Sequence, residues 1–83
     1  MKFFNNKNII SQKLAMARDK ESLSQEQLAA KMQVLGVSID QQTISRIEKN
    51  KRIVTDYEIL CFCKILKIHP QDIIGNYDEF HRI

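Results

Sequence analysis

The chain has 83 residues and a formal net charge of +3, with 43% hydrophobic and 28% charged residues. This length fits one small domain with its own core. No apolar stretch is long enough to span a bilayer, and the polar run that begins at Asn5 leaves no room for the apolar segment of a signal peptide. The composition therefore argues against a membrane protein and predicts a soluble, cytoplasmic one.

The two cysteines, Cys61 and Cys63, lie two positions apart in a stretch with helical periodicity. Side chains two residues apart on a helix point about 200° away from each other, so these thiols are not expected to bridge. Two cysteines without the spacing of a metal site fit a reducing compartment. We expect both to be small apolar side chains, with no metal ion and no other cofactor.

The first predicted helix runs from about Ile9 to Lys20 or Glu21 and follows a short arm, residues 1–8. The residues of its inward face recur at helical spacing, and they are Ile10, Leu14, Ala17 and Arg18. An arginine on an otherwise apolar face is unusual.

The second helix opens at Ser24, which is placed to cap the first free backbone amides, and Gln27 occupies the reciprocal capping-box position. The helix is predicted from Gln25 to about Leu35, and Gly36 is a natural left-handed stop. It is expected to bury Leu28, Ala29 and Met32.

The third helix opens in a similar way, with Asp40 as the cap, and is predicted from Gln41 to about Lys49. Ile44 and Ile47 face inward, and Asn50 can take the left-handed conformation that ends a helix. Two short helices in tandem, the later one opening with amide side chains, are typical of a helix-turn-helix that reads DNA.

The fourth helix is predicted to begin with an N-terminal capping box, in which Thr55 is the cap and Glu58 is its partner. It is expected to bury Ile59, Phe62, Cys63 and Leu66. Leu60 and Cys61 lie off this inward stripe, so both are candidates for a dimer contact.

A short fifth helix is predicted to begin at Pro70, capped by His69, and to end at Gly75. No strand alternation is present, so the sequence predicts an all-α fold of five short helices. The domain organisation is predicted as an arm at residues 1–8, a helical domain at 9–75 and a polar-aromatic tail at 76–83.

The start of the third helix carries side chains suited to reading base pairs. Gln41 and Gln42 occupy the first turn, the part of this motif that enters the major groove. A carboxamide accepts from adenine N6 and donates to N7 at once, whereas Arg46, one turn along, can fork onto a guanine or bind a phosphate. Thr43 either meets a thymine methyl group or only tightens the helix start.

Positive charge is concentrated beside this helix. Four cations against one anion lie between positions 46 and 52, which equals the excess of the whole chain: Arg46, Lys49, Lys51 and Arg52 against Glu48. A basic patch beside a reading helix is the expected electrostatic footprint for DNA phosphates.

The segments Leu23–Met32 and Asp40–Glu48, followed by Lys51 and Arg52, resemble the Cro/C1-type (XRE-like) helix-turn-helix family of bacterial and phage repressors. The likeness covers roughly residues 9–75, and its most specific part is the run Thr-Ile-Ser-Arg-Ile-Glu at 43–48. The resemblance implies a five-helix lambda-repressor-like bundle. It also implies a sequence-specific transcriptional regulator, expected to be a repressor, that binds a double-stranded operator as a homodimer.

The resemblance implies roles for individual residues as well. It implies base contacts from Gln41, Gln42 and Arg46, and phosphate contacts from Gln25, Asn50, Lys51 and Arg52. From their position beside the same face, Thr43 is expected as a further base contact and Ser45 as a further phosphate contact. The resemblance also implies an ion pair between Arg18 and Glu48, which would tie the first helix to the end of the third by a forked, charge-assisted bond.

Two features depart from the family pattern. The connection at residues 33–39 is several residues longer than usual, so we expect an extended second helix and a longer turn that leave the third helix intact. Asn50 replaces the usual glycine after the third helix and is expected to tolerate the same backbone shape.

Two other classes of function compete with DNA reading for this sequence. The first is an antitoxin-type protein-interaction module whose DNA binding is autoregulatory. Apolar side chains at both ends would bind a toxin or the dimer partner, or fold back on the core: Phe3, Phe4, Tyr77, Phe80 and Ile83. The second is an enzyme, which is not expected, because His69 and His81 are far apart and no paired carboxylates, nucleophile elbow or phosphate-binding glycine loop is present.

Overall fold

The computed structural model describes residues 6–75, which form five α-helices and no strand. The helices are α1 (Ser11–Lys20), α2 (Gln25–Val34), α3 (Gln41–Glu48), α4 (Asp56–Leu66) and α5 (Pro70–Ile74). For this part of the chain the prediction of an all-α fold with five short helices is confirmed. His81 lies outside the described residues, as do the apolar side chains predicted to bind a partner or the core at the two ends: Phe3, Phe4, Tyr77, Phe80 and Ile83.

Three helices begin with the caps that the sequence predicts. Ser24 Oγ accepts from the amide of Gln27 at 3.0 Å, and Gln27 Oε1 accepts in return from the amide of Ser24 at 2.8 Å. Thr55 and Glu58 form the same reciprocal pair at the start of α4. Asp40 caps α3 through the amide of Thr43 at 2.8 Å. Each cap satisfies backbone donors that the first turn of a helix cannot pair by itself.

The long turn between α2 and α3, residues 35–40, is packed. Gly36 has φ +89°, and the amide of Val37 reaches back to a carbonyl of α2 in the hydrogen-bonding pattern of a Schellman cap. Val37 and Ile39 are buried, and Gln33 Nε2 donates to the Ile39 carbonyl at 2.9 Å. The extra residues therefore add core contacts, and α3 begins intact at its predicted first residue.

The core is shared by all five helices. α3 lies against α1 and α2, whereas α4 lies against α1, α2 and α5. Nine large side chains are less than 2% exposed: Ile10, Leu14, Leu28, Met32, Ile44, Ile47, Phe62, Leu66 and Ile73. α3 contributes Ile44 and Ile47 to this core, whereas Gln41, Gln42 and Arg46 are exposed among the described residues.

Two predictions about α4 and α5 are wrong. Cys61 is buried, so it is not an exposed dimer candidate, whereas Leu60 is 58% exposed. His69 stands at the N-cap position of α5, but its side chain makes no capping hydrogen bond. Pro70 has no N–H and its backbone is already shaped for the first helical position, so α5 begins without a side-chain cap.

An ion pair closes the loop between α3 and α4. Arg52 NH1 lies 3.0 Å from Glu58 Oε1, and Arg52 NH2 donates to Oε2 at 3.2 Å. Glu58 Oε1 also accepts from the amide of Thr55. Burial raises the pKa of the Glu58 carboxyl, but the bonds from Arg52 and Thr55 outweigh it, so its pKa lies below the ordinary value.

This pair predicts an acid-sensitive contribution to stability. A carboxyl whose pKa is lower in the folded state stabilises the fold above its unfolded pKa, about 4.3 for glutamate, and loses that effect as the pH falls through the folded pKa. Glu58→Gln should lower the free energy of unfolding at pH 7 by about 1–3 kcal/mol. It should also flatten the decline in stability below pH about 4.3, measured by urea unfolding at several pH values.

Glu26→Gln is the matched control, because Glu26 is an exposed glutamate in the first turn of α2. Its pH profile should follow that of the unmodified chain. A Glu58→Gln profile parallel to the unmodified one would contradict the assigned role of Glu58.

Candidate nucleic-acid interface

One face of α3 points away from the bundle. Gln41, Gln42 and Arg46 are all exposed, while Ile44 and Ile47 on the opposite side are fully buried. Lys49 is exposed as well and follows Arg46 by one turn. Among the described residues, the side chains of Gln42, Arg46 and Lys49 make no hydrogen bond or ion pair. Within residues 6–75, the polar edge of α3 is therefore exposed to solvent.

The cap at Asp40 fixes the start of this face. Both the amide and the hydroxyl of Thr43 donate to Asp40 Oδ1 at 2.8 Å. These bonds from Thr43 hold the pKa of the exposed Asp40 carboxyl below its ordinary value. The Thr43 hydroxyl therefore tightens the helix start, one of the two roles foreseen for it, and a thymine contact through its methyl group stays a prediction.

The structure contains the ion pair expected between Arg18 and Glu48. Arg18 Nε donates to Glu48 Oε2 at 2.8 Å and NH2 donates to Oε1 at 3.1 Å, with 14% and 8% of the two side chains exposed. Arg18 NH1 also donates to the carbonyl of Leu23, at 2.8 Å. The bonds to Glu48 raise the pKa of Arg18 more than burial lowers it. The unusual arginine on the inward face of α1 thus has a partner at the end of α3.

Gln25 extends this pair to the exposed face. Its Nε2 donates to Glu48 Oε1 at 3.0 Å, and its Oε1 accepts from Gln41 Nε2 at 2.6 Å. A carboxylate only accepts, so Gln25 must turn its nitrogen towards Glu48 and its oxygen towards Gln41. Gln41 in turn must present its nitrogen to Gln25. The sequence predicted Gln25 only as a phosphate contact and carried no sign of this bridge.

The residues expected to bind phosphate fall into two groups. Lys51 is exposed and Ser45 is half-buried, and their phosphate contacts stay predictions, as does that of Gln25, although its amide already bonds Glu48 and Gln41. Asn50 and Arg52, however, have their side chains in internal contacts. Arg52 forks onto Glu58, because the capping box of α4 places a buried carboxylate beside it.

Asn50 ends α3 and fastens the arm. Its φ is +59°, and the amide of Lys51 reaches the carbonyl of Arg46 at 2.8 Å, so Asn50 takes the left-handed position that glycine usually fills. Its side-chain Oδ1 accepts from the backbone amides of Lys7 and Asn8 at 2.9 and 3.0 Å. The predicted backbone role is confirmed, and the contact with the arm is one that sequence reasoning missed.

Asn8 completes this attachment. Its Nδ2 donates to the carbonyls of Ile47 at 3.1 Å and Arg52 at 2.9 Å, and its Oδ1 accepts from the amide of Ile10. Asn50 Nδ2 donates to Asn6. We call Asn6, Asn8 and Asn50 the asparagine clasp. It holds residues 6–8 of the arm against the end of α3.

Other kinds of site find no support in the part of the chain that the structure describes. Within residues 6–75 no helix is long and apolar enough to cross a membrane. No three His, Cys, Asp or Glu side chains in that range are grouped so as to hold a metal ion.

Comparison with known families gives one match. A family model described as helix-turn-helix covers residues 14–73, most of the chain and all five helices in whole or in part. Comparison with curated proteins and with solved structures gives no significant match.

The Arg18–Glu48 pair predicts a stability defect that precedes any loss of specificity. Arg18→Ala would leave Glu48 buried without its partner and should cost about 3–5 kcal/mol in the free energy of unfolding. Asp19→Asn is the control, because Asp19 meets Arg18 only at the exposed surface and should cost less than about 1 kcal/mol. Chemical unfolding of both variants measures the difference. Unchanged stability of Arg18→Ala with lost DNA preference would overturn the assignment.

Proposed function

The chain belongs to the Cro/C1-type (XRE) helix-turn-helix family of DNA-binding regulators, and from that premise we propose that it is a transcriptional repressor. It reads a specific double-stranded operator, with α3 in the major groove. The observation that carries this proposal is the exposed edge of α3, where Gln41, Gln42 and Arg46 project from a helix whose other side is buried. A helix with such a tip fits the major groove, where each base pair presents its own pattern of donors and acceptors.

The orientation of the Gln41 amide supports adenine as its target. Gln25 takes one hydrogen of Gln41 Nε2, which leaves Oε1 and the second hydrogen of that nitrogen for a ligand. Adenine offers the matching pair, because its N6 donates and its N7 accepts. The bridge through Gln25 to Glu48 fixes this orientation before DNA arrives, and so lowers the entropy lost on binding.

The lysines at the end of α3 support a position of the DNA backbone beside this end of the helix. Lys49 and Lys51 are exposed at the end of α3, and within the described residues neither ammonium group is paired with a carboxylate. The cations of a DNA-binding surface attract the duplex by releasing its condensed counterions. Lys51 is therefore assigned to phosphate, and Arg46, on the exposed face of α3, to a guanine.

The proposed regulator acts as a homodimer. One small module makes few base contacts, and two linked modules reading two half-sites gain both affinity and selectivity. Exposed apolar side chains are present for such a contact, since Tyr57 and Leu60 lie one turn apart on α4 and are each 58% exposed. A toxin that co-purifies with the chain would instead favour the antitoxin-type module.

The test is selection of bound sequences from a pool of random duplexes, followed by binding isotherms at several salt concentrations. A specific regulator should enrich one motif and bind it about 10³-fold or more tighter than random DNA, with affinity that falls steeply as salt rises. Binding no tighter to any enriched motif than to random DNA would count against the proposal.

Removing a base-reading side chain should relax preference at individual base pairs. Gln41→Ala and Arg46→Ala should each reduce discrimination at a separate position by about 1–3 kcal/mol, because a bidentate contact is lost. Competition binding with singly substituted duplexes measures this. Gln71→Ala, at an exposed glutamine of α5, is the control and should preserve every preference. Loss of affinity that is uniform across all duplexes would argue against base reading.

Removing a phosphate-binding lysine should act differently. Lys51→Ala should weaken binding to all sequences by a similar factor and lower the slope of log affinity against log salt by about 1. The matched control is Lys64→Ala, an exposed lysine of α4, which should leave the slope unchanged. Equal slopes for Lys51→Ala and the unmodified chain would remove Lys51 from the interface.

A further inference from the structure

The asparagine clasp brings a lysine of the arm to the basic end of α3. Lys7 follows Asn6 and precedes Asn8, and its own amide donates to Asn50 Oδ1 at 2.9 Å. Its side chain is exposed. Lys51 follows Asn50 in the chain and is exposed too. Together, the Lys7–Asn50 hydrogen bond and the covalent dimensions of Asn50 keep the α-carbons of Lys7 and Lys51 within about 12 Å of each other.

The asparagine clasp fixes residues 6–8 by several hydrogen bonds. Five hydrogen bonds join residues 6–8 to residues 47–52. They satisfy a carbonyl at the end of α3 and one in the following loop, and they order a segment that forms no helix of its own. Ordering a chain segment costs conformational entropy, which these bonds offset. The result is a fixed starting point for the Lys7 side chain beside Lys49 and Lys51.

We infer that Asn50 and Asn8 hold the arm so that Lys7 binds a DNA phosphate next to the one bound by Lys51. Lys7 is then a further DNA-binding residue, and Asn50 is a positioning residue that acts through it. A duplex carries one negative charge per about 1.7 Å of its axis, so two lysines whose α-carbons lie within about 12 Å of each other have several phosphates within reach and can each bind a separate one. This inference rests on the proposed function, because it extends the same DNA surface.

Asn50 could act on DNA in two ways, which the salt dependence of binding separates. A direct contact of its neutral carboxamide with phosphate would add affinity without releasing a counterion, and so without changing the salt slope. A role in placing Lys7 adds one cation to the interface and therefore steepens the slope. The engagement of Oδ1 with two backbone amides, and of Nδ2 with Asn6, favours the second role.

The experiment measures the salt dependence of binding to one enriched duplex for Lys7→Gln, Asn50→Gly and the double variant. Lys7→Gln should lower the slope of log affinity against log salt by about 0.9. The factor by which affinity falls between about 50 and about 200 mM salt should then be about three- to fourfold smaller than for the unmodified chain. Asn50→Gly keeps the left-handed backbone but removes the carboxamide, and should lower the slope by a similar amount. The double variant should lose no more than either single one.

Two further variants complete the design. Lys7→Arg should retain the slope of the unmodified chain, and Lys64→Gln, with the same charge change on α4, should retain it too. Thermal unfolding of each variant checks that the fold is kept. If Asn50→Gly does not fold, Lys7→Gln and Lys7→Arg still decide the role of Lys7.

Three outcomes are distinguishable. An unchanged slope for Lys7→Gln, with a lowered slope for Lys51→Ala, overturns this inference and leaves the proposed function intact. A lowered affinity but unchanged slope for Asn50→Gly overturns the positioning role, since it indicates direct phosphate contact. Absence of specific, salt-dependent binding by the unmodified chain overturns the proposed function itself.

Discussion

The bidentate pair between Arg18 and Glu48 determines where α3 lies, because it joins the three N-terminal helices at one point. Arg18 comes from α1, Glu48 ends α3, and Gln25 of α2 bonds the same carboxylate. A charge removed from water is costly unless it is paired and its remaining acceptor sites are filled. A shift of α3 that kept Glu48 buried but broke these bonds would leave its carboxylate without partners, so the pair favours the observed position of α3.

The same network reaches the surface that is proposed to meet DNA. From Glu48 the hydrogen bonds run through Gln25 to Gln41, so a buried charge sets the direction of an exposed amide. A functional side chain that is held by polar contacts with neighbouring residues presents its donors and acceptors in a defined orientation. Gln42 and Arg46 have no such support within the described residues. The interface thus combines one oriented amide with side chains that adapt to their target.

Helix ends supply the second structural theme. Left-handed residues close the first four helices, and of these only Gly36, after α2, is a glycine; the others are Ser22, Asn50 and Lys67. Asn50 tolerates the conformation and adds a carboxamide, which is used to fasten the arm. The substitution of asparagine for glycine at this position therefore links helix termination to the placement of residues 6–8.

The sequence by itself determined the elements and the type of surface. Caps such as Ser24, Asp40 and Thr55 act on residues three positions away, and the core positions of α2 and α3 follow from helical spacing. Because these interactions are local, reading the chain was enough to locate the helices and the amide-bearing start of α3. The family resemblance added the Arg18–Glu48 pair, which no local pattern specifies.

Only the tertiary structure decided which polar side chains remain available. Gln25 and Gln41 are 16 positions apart, and Asn8 and Arg52 are 44 apart, so no local rule pairs them. Arg52 was expected at phosphate, but the fold places the Glu58 carboxylate within its reach, and Cys61 was expected at the surface, but the packing of α4 buries it. The physical reason is the same in each case, since hydrogen bonding and burial depend on neighbours that the fold brings together from distant parts of the chain.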